Sequence, residues 1–532
     1  MRRRWLGEGV GERVGSGFGG VVWGVVWVLG WSAGVVAARG GAGRGRGLVN
    51  VREAAPAELP AAAESLLADG FRVALVSGHD DGDRLRAVYL FLAPGDRRAE
   101  VHVRLPASDP RLPSLARLSF PAGRFEREMR DLFGIVPEDH PLPRRLVRHF
   151  HWPRGWYPMR AGAGAPPEFG EADGPYPFRA VEGAGVSEIP VGPVHAGMIE
   201  PGHFRFSVSG ETILNLKARL WFVHKGLEAL FAGREPEAGI ELAERISGDT
   251  AVGHALAYCL AVEDALGMTV SADAARVRAV LLELERIHNH VADLGALCND
   301  VGHSVLNSHA QTVREKLLRH NEEVTGHRLL RGGVRLGGAR LVRLPDAARV
   351  RALAAEGEEI ASLAVEHSVV RDRFAGTAVL STRQAEDLGT LGYVARASGL
   401  RRDARYEHPF LDLGEPVRHS RTDGDVLARF LVRAEEIAHA AALVERLTGS
   451  LGDRSETADP GGSRSGTGVA EGWRGTIVHR VELSAGVLSR VKAVDPSFFN
   501  WPALPVALVD TIVPDFPLAN KSFNLSYAGN DL

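Results

Sequence analysis

Apolar residues recur at helical spacing through most of the second half of the chain. In residues 277–298 they step by three and four positions, which is typical of a helix packed in a bundle. Residues 346–372 and 424–450 repeat the pattern, and a further helix is predicted over 214–232. The stripe of 277–298 consists of Val277, Val280, Leu284, Ile287, Val291, Leu294 and Cys298.

Residues 48–160 show the shorter periods of a small α/β domain. Residues 71–81 and 85–93 are strand-like, and residues 99–106 alternate polar and apolar side chains as an exposed edge strand does. This domain is therefore predicted to contain a sheet.

Clusters of Gly and Pro divide the chain further. Residues 161–187 are predicted to be a linker and residues 452–472 a flexible loop, after which a β-hairpin and a Pro-broken tail follow. Together the elements predict an α+β protein. A small N-terminal α/β domain precedes a mainly helical domain, residues 188–532, with peripheral β-hairpins.

Composition narrows the classes of function. The chain has two cysteines, Cys259 and Cys298, which exclude a disulfide scaffold and a metal site built from this chain's cysteines alone. Both are predicted to be buried core thiols. The net charge of -3 gives no reason to expect a nucleic-acid partner.

The first 47 residues have three open interpretations. An apolar run at 18–39 follows a basic start and is long enough to span a bilayer. It suits a membrane anchor, an export signal, or upstream sequence included by a wrong start site. No other run of 18 apolar residues follows it, so the body of the chain is expected to be soluble.

Four stretches carry a resemblance to a known family when taken together and in order. They resemble the large subunits of energy-converting, membrane-bound [NiFe] hydrogenases, such as the formate hydrogenlyase large subunit, and the C and D subunits of respiratory complex I. The first stretch is similar to the C subunit and the others to the D subunit, here fused in one chain. The stretches are residues 126–146, 192–206, 283–302 and 490–527.

The resemblance places the family's two Cys-x-x-Cys pairs on residues that are not cysteine. The first pair falls on Ser247 and Thr250, and the second on Ser526 and Gly529. Nickel and its iron need soft thiolate ligands, which hydroxyl groups do not replace. We therefore expect no nickel–iron centre and no hydrogenase activity.

The D subunit of complex I uses the same place as part of a quinone site, without metal. The resemblance implies proton delivery by the loop at 192–206, which supplies His195, Glu200 and His203, since imidazole exchanges protons near neutral pH. Complex I has a tyrosine where this chain has Gly248, so one expected partner of a quinone is missing.

Asp249 is the nearest ionisable side chain to Gly248. At a helix N-terminus its carboxylate is stabilised as an anion, which makes Asp249 a poor acid unless it is buried. A buried Asp249 would instead be a proton relay. Ser247 or Asp249 is also predicted to cap the helix that starts here. The resemblance implies that His290 hydrogen-bonds an iron–sulfur cluster of a partner, whereas His288 is predicted to face solvent.

The leading hypothesis is a peripheral subunit on the cytoplasmic face of the cell membrane, in a complex that couples electron transfer to ion movement. A partner resembling the complex I B subunit would hold a [4Fe-4S] cluster, and antiporter-like subunits would lie in the membrane. Any NAD would bind elsewhere in the complex, because the Gly-rich turn at 331–338 lacks a βαβ frame. The pocket would hold a quinone, another small oxidant or nothing redox-active. The alternatives are a docking subunit without chemistry and an active hydrogenase.

Overall fold

The computed structural model describes residues 49–171, 174, 176–197, 199–416, 420–450 and 464–532. The interpretations of residues 1–47 therefore lie outside the described part of the chain. Among the described residues, no helix combines the length and the apolar character needed to cross a membrane.

The N-terminal α/β domain is built on a four-stranded sheet in the order β1-β4-β3-β2. Strand β1 runs parallel to β4 and the other pairs are antiparallel. The elements of this domain are β1 (Val49–Ala54), α1 (Leu59–Ala68), β2 (Arg72–Asp80), β3 (Arg84–Ala93), β4 (Arg97–Pro106), β5 (Arg111–Pro113), α2 (Phe120–Phe133) and β6 (Val136–Glu138).

Strand β4 is not the exposed edge that its alternation predicts. It lies between β1 and β3, and most of its side chains are buried. Its polar face is covered by a second sheet: Arg98 donates to the Thr467 carbonyl at 2.8 Å, and Glu100 pairs with Arg480 at 2.9 Å. The alternation is real, but Glu100 and His102 are buried in ion pairs, whereas Arg104 is half-exposed.

The helical body confirms the predicted bundle. The apolar stripe of residues 277–298 lies on α6, and helices α5, α7, α8 and α13 pack around it. All residues of the stripe except Val277 are fully buried. These helices are α5 (Ala251–Leu266), α6 (Ala272–Asp300), α7 (Ser304–Thr325), α8 (Ala347–Glu366) and α13 (Val426–Thr448). Shorter elements complete this part: α4 (Pro236–Ala243), β10 (Val334–Arg335), β11 (Gly338–Ala339), α9 (Ser368–Phe374), α10 (Thr382–Leu388), α11 (Gly392–Ala397) and α12 (Ala404–Glu407).

The helix predicted over 214–232 is wrong. An antiparallel sheet of β7 (Val186–Val191), β8 (His203–Ser209) and β9 (Thr212–Arg219) takes up its first part. Only the short α3 (Leu227–Phe231) is helical. Pairing of β9 with β8 overrides the helical spacing of the apolar residues.

The flexible loop predicted over 452–472 is wrong for its last eight residues. Strand β12 (Ser465–Gly472) forms an antiparallel sheet with β13 (Gly475–Ser484) and β14 (Val487–Val494), which includes the predicted hairpin. Its glycines allow the strand to lie directly on α5. A Cβ at Gly468 would lie 1.9 Å from the Ala257 oxygen, and one at Gly466 would lie 2.3 Å from the Ala261 oxygen. Residues 451–463 lie outside the described part.

The two predicted domains share a buried interface. Arg86 of β3 donates to both carboxylate oxygens of Glu482 in β13 at 2.9 Å. All described residues belong to one compact unit. The chain ends in four short helices that pack beside this interface: α14 (Pro496–Asn500), α15 (Ala503–Ala507), α16 (Phe516–Phe523) and α17 (Tyr527–Asp531).

Candidate functional site

A polar cavity of about 600 Å³ lies where the last helices meet the start of α5. Its walls come from the loop before β8, the start of α5, the end of α6, the turn between β12 and β13, and helices α16 and α17, so it exists only in the folded molecule. Its polar lining consists of His195, Glu200, Ser247, Asp249, Asp300, Arg474, Asn520, Lys521, Asn524, Ser526 and Tyr527.

The four positions to which the resemblance assigns thiolates meet at the floor of this cavity. The hydroxyl oxygens of Ser247 and Ser526 are 2.8 Å apart, and the Gly529 N–H donates to Ser526 Oγ at 2.9 Å. Thr250 Oγ1 accepts a hydrogen bond from Trp473 Nε1 at 3.1 Å. Ser247 and Ser526 therefore close the floor, with Gly529 and Thr250 held behind them by hydrogen bonds to Ser526 and Trp473.

The floor does not fit a nickel–iron centre. Its hydroxyl groups are poor ligands for nickel, and a Cβ at Gly529 would lie 2.6 Å from the carboxyl carbon of Asp495. That carboxylate is buried and accepts from His254 Nε2 at 3.0 Å, so it has little freedom to move. Across the described ranges, no group of three or more His, Cys, Asp or Glu is placed to hold a metal ion.

The two cysteines are free and buried in the core, which confirms the prediction. Burial raises the pKa of both thiols, that of Cys298 to about 12. Both are therefore protonated and inert at neutral pH.

Asp249 forms a two-pronged ion pair with Arg474. Nη1 lies 2.5 Å from Oδ1 and Nη2 lies 2.7 Å from Oδ2. Burial raises the pKa of Asp249, but the charge of Arg474 and the hydrogen bonds from Arg474, Ser247 and Thr250 together outweigh burial and lower this pKa to about 2. Asp249 therefore pairs with Arg474 in the wall, and its role as a proton relay stays a prediction.

The predicted cap of α5 is also wrong. Neither Ser247 nor Asp249 bonds the free amides, and the N–H groups of residues 252–253 donate to the Glu285 carboxylate of α6 at 2.7 and 3.0 Å. Arg474 holds Asp249 away from the helix end. Burial raises the pKa of Glu285 to about 8, although the two amide bonds act in the opposite direction.

The loop before β8 brings two of its three predicted residues to the cavity. His195 Nδ1 lies 3.2 Å from the Pro193 oxygen, and Nε2 is buried without a hydrogen-bond partner among the described residues. Glu200 Oε2 accepts from the Ala528 N–H at 2.9 Å, which ties the loop to α17. The cavity therefore contains one imidazole nitrogen and one carboxylate from this loop.

His203 does not reach the cavity, contrary to the prediction. It is the first residue of β8, opposite Arg219, and its ring packs 5.5 Å from that of Phe178. Its Nδ1 lies 3.2 Å from the Gly192 oxygen. Strand pairing sets this direction, which the spacing within the loop does not show.

Six polar residues of the lining were not identified from the sequence, among them Tyr527 and Asp300. Tyr527 inserts its ring against Trp501 at 4.8 Å and beside Gly202, where a Cβ would lie 2.6 Å from the ring. The Asn520 side chain lies near its buried hydroxyl, but no hydrogen bond of good geometry forms among the described residues. Asp300, at the end of α6, has a pKa that partial burial raises. Tyr527 and Asp300 both lie in stretches that carry the resemblance, and this was the signal in the sequence that could have identified them.

His290 is enclosed by this chain's own side chains. Its Nε2 lies 2.9 Å from Glu436 Oε2, and burial lowers its pKa. It is 0% exposed, and its hydrogen bond to a partner's cluster stays a prediction. His288, predicted to face solvent, is also buried and lies 3.0 Å from the Leu284 oxygen, because the helix is surrounded by others on all sides.

Three family models match consecutive parts of the chain. A model described as the respiratory-chain NADH dehydrogenase 30 Kd subunit matches residues 53–165. One described as nickel-dependent hydrogenase matches residues 225–298, and one described as the respiratory-chain NADH dehydrogenase 49 Kd subunit matches residues 300–461. This order confirms the predicted fusion.

Whole-chain relatives come from the same two groups. Formate hydrogenlyase subunit 5 of Escherichia coli (strain K12) is 32% identical over 81% of this chain and 79% of its own length. The C/D fusion of NADH-quinone oxidoreductase from Phocaeicola vulgatus is 27% identical over 83% of this chain and 94% of its own length. A solved structure of the membrane-bound sulfane sulfur reductase, an archaeal respiratory membrane complex, matches with a TM-score of 0.58 at 23% identity, over 65% of this chain and 98% of that chain. That likeness supports the fold alone.

Proposed function

The chain belongs to the large-subunit family that respiratory NADH dehydrogenase shares with nickel-dependent hydrogenases, and from that premise we propose that it is a peripheral subunit of a membrane-bound oxidoreductase complex. It lies on the cytoplasmic face of the membrane, beside membrane subunits of the antiporter type that move ions. Electrons arrive from a [4Fe-4S] cluster in a small partner subunit and reduce a quinone or a similar acceptor in the polar cavity. Hydrogen is not a substrate.

One observation carries the quinone assignment. The polar cavity contains two buried hydrogen-bonding atoms, His195 Nε2 and the Tyr527 hydroxyl, that form no well-made bond within the described residues. Buried polar atoms of this kind are normally satisfied, so they favour a ligand with polar atoms of its own. Tyr527 thereby supplies the phenol that Gly248 does not.

The chemistry follows from these two groups. A carbonyl oxygen only accepts, so His195 Nδ1 donates to the Pro193 oxygen, and Nε2 is left to carry the proton that bonds a quinone oxygen. Reduction of a quinone takes two electrons and two protons. The Tyr527 hydroxyl gives one proton to one quinone oxygen, and His195 gives one proton from Nε2 to the other. Water at the open side then returns one proton to each group, with Glu200 nearby.

The proposal is tested on the complex purified with its iron–sulfur partner, by reduction of a short-chain quinone. His195→Ala should lower kcat by about 10²-fold or more. Tyr527→Phe should raise KM about tenfold, since it removes one hydrogen bond to a buried ligand. His203→Ala is the matched control, because that imidazole lies outside the cavity, and should retain full activity. Equal activity of all three variants would contradict the assignment.

A docking subunit without chemistry is the second candidate. The closed, hydrogen-bonded floor around Ser247 and Ser526 favours it, because this floor needs no ligand to be stable. In that case the assembled complex would reduce no quinone, and His195→Ala would change neither assembly nor quinone binding. Elemental analysis of the complex should find no stoichiometric nickel under either candidate.

A further inference from the structure

A second cleft, of about 430 Å³, lies between α2 and β9, and none of the residues of the polar cavity lines it. We call it the basic cleft. Among the described residues no Asp or Glu lines it. Its basic side chains are Arg124, Arg127, His140, Arg144, Arg179, Lys217 and Arg219.

The cations that line the basic cleft outnumber the carboxylates that act on them from outside its lining. Lys217 pairs with Glu188 at 2.5 Å, but Arg127 and Arg219 donate their hydrogen bonds to neutral carbonyl oxygens of residues 144–148. Burial, and then Arg127, lower the pKa of Arg124 to about 9. An excess of buried positive charge is unfavourable, and an anionic ligand offsets this excess.

Aromatic rings form the rest of the wall. Arg219 stacks 5.0 Å above the ring of Tyr176, and Arg124 lies 5.8 Å from that of Trp221. Phe178 and Trp501 extend this apolar surface. A volume of this size suits a small ligand that buries an apolar body beside a few charged groups.

We propose that the basic cleft binds an amphiphilic anion, with an oxyanion head on an alkyl or aromatic body. The head meets Arg144, which is half-buried, and Arg179, which is exposed and makes no hydrogen bond or ion pair with the part of the chain that the structure describes. The body lies against Trp221 and Trp501. Arginine suits the head because its planar fork matches phosphate and carboxylate.

The test is calorimetric titration of the full chain with octyl phosphate below its micelle-forming concentration. Wild type should show one saturable site, with inorganic phosphate and the neutral octyl glucoside each about tenfold weaker or more. Arg144→Gln/Arg179→Gln should bind octyl phosphate at least about tenfold more weakly. Arg179→Gln alone, at an exposed position that leaves the fold intact, should show part of this loss.

Arg117→Gln is the matched control, since this exposed arginine lines a neighbouring cavity and carries the same charge. It should bind octyl phosphate as wild type does. Binding of octyl glucoside as tight as octyl phosphate, equal loss in Arg117→Gln, or no saturable binding would overturn the proposal. Sedimentation with phosphatidic acid vesicles distinguishes a lipid from a soluble ligand. If the wild type binds the vesicles and the double variant does not, the ligand is a lipid headgroup. If the wild type binds octyl phosphate but not the vesicles, the ligand is a soluble ester.

Discussion

Substitution of Gly529 by alanine is the direct test of the closed floor. A methyl group there would lie 2.6 Å from the Asp495 carboxyl carbon, so the carboxylate must retreat by roughly 0.8 Å to reach ordinary contact. Asp495 is fixed by two hydrogen bonds, from His254 Nε2 at 3.0 Å and from the Ser497 N–H at 2.7 Å. The retreat must weaken at least one of them.

The magnitude follows from three contributions to the free energy of unfolding. Overpacking by one methyl in a rigid core costs about 1–3 kcal/mol. Weakening a hydrogen bond to the buried Asp495 costs about 1–3 kcal/mol more. Alanine improves helix propensity in α17 by about 1 kcal/mol, in the opposite direction. We expect a net loss of about 1–5 kcal/mol for Gly529→Ala, centred on about 3 kcal/mol, and a larger loss for Gly529→Cys.

The assay is chemical denaturation of the full chain followed by circular dichroism. Gly248→Ala is the matched control, because nothing lies within 4 Å of a Cβ at Gly248, and it should change stability by less than about 0.5 kcal/mol. If Gly529→Ala is as stable as this control, the floor has room for side chains. Loss of the nickel site would then rest on the missing thiolates alone.

Three further predictions concern charge. Glu285→Gln should abolish a pH dependence of the folding stability. The pKa of Glu285 is raised to about 8, so the wild type loses stability as pH rises from about 4.5 to 8. Only the wild type should therefore have a lower melting temperature at pH 9 than at pH 6. Arg480→Met leaves the Glu100 carboxylate buried without its cation and should cost about 3 kcal/mol in denaturation, against under about 1 kcal/mol for the half-exposed Arg104→Met; equal losses would contradict the buried interface. Asp249→Asn removes an anion whose pKa is lowered to about 2. The wild type should therefore be more stable than the variant above about pH 4, and this difference in stability should vanish as pH falls to 2. A difference that stays constant during acid titration would contradict the pairing.

The helical bundle was predictable because a helix in a bundle buries the side chains that recur at a fixed spacing along its sequence. The stripe from Val280 to Cys298 is buried along its whole length, as its periodicity indicates. The same rule misplaced His288. A helix surrounded on every side buries its polar residues too, and only the packing of its neighbours shows this.

The elements that were wrong depend on partners far away in sequence. Residues 465–472 have the composition of a flexible segment, yet Gly466 and Gly468 are what allows β12 to lie against α5. Glycine near a helix backbone and glycine in a mobile loop look alike in a sequence, because both lack a side chain. The partner decides between them.

Within the candidate site, the sequence identified positions better than roles. Ser247 and Ser526 meet as the resemblance implies, and His195 and Glu200 line the cavity. The role of Asp249 depended on Arg474, which lies 225 residues later. A carboxylate near a helix start caps the helix if the free amides are its nearest partners, and forms an ion pair if a cation is nearer. The spacing of residues in the sequence does not give these distances.

The misfit of these residues to a nickel–iron centre and the presence of the cavity have separate structural causes. The metal positions lie in the floor, where Ser247 and Ser526 bond each other and Asp495 occupies the space beside Gly529. The volume above the floor depends instead on the loop of His195 and on the ring of Tyr527, neither of which is a metal position. A chain that had only lost its thiolates would be free to collapse there. Because the two buried polar atoms of these residues still lack well-made bonds within the described part of the chain, the cavity is better explained by a ligand than by a vacated metal site.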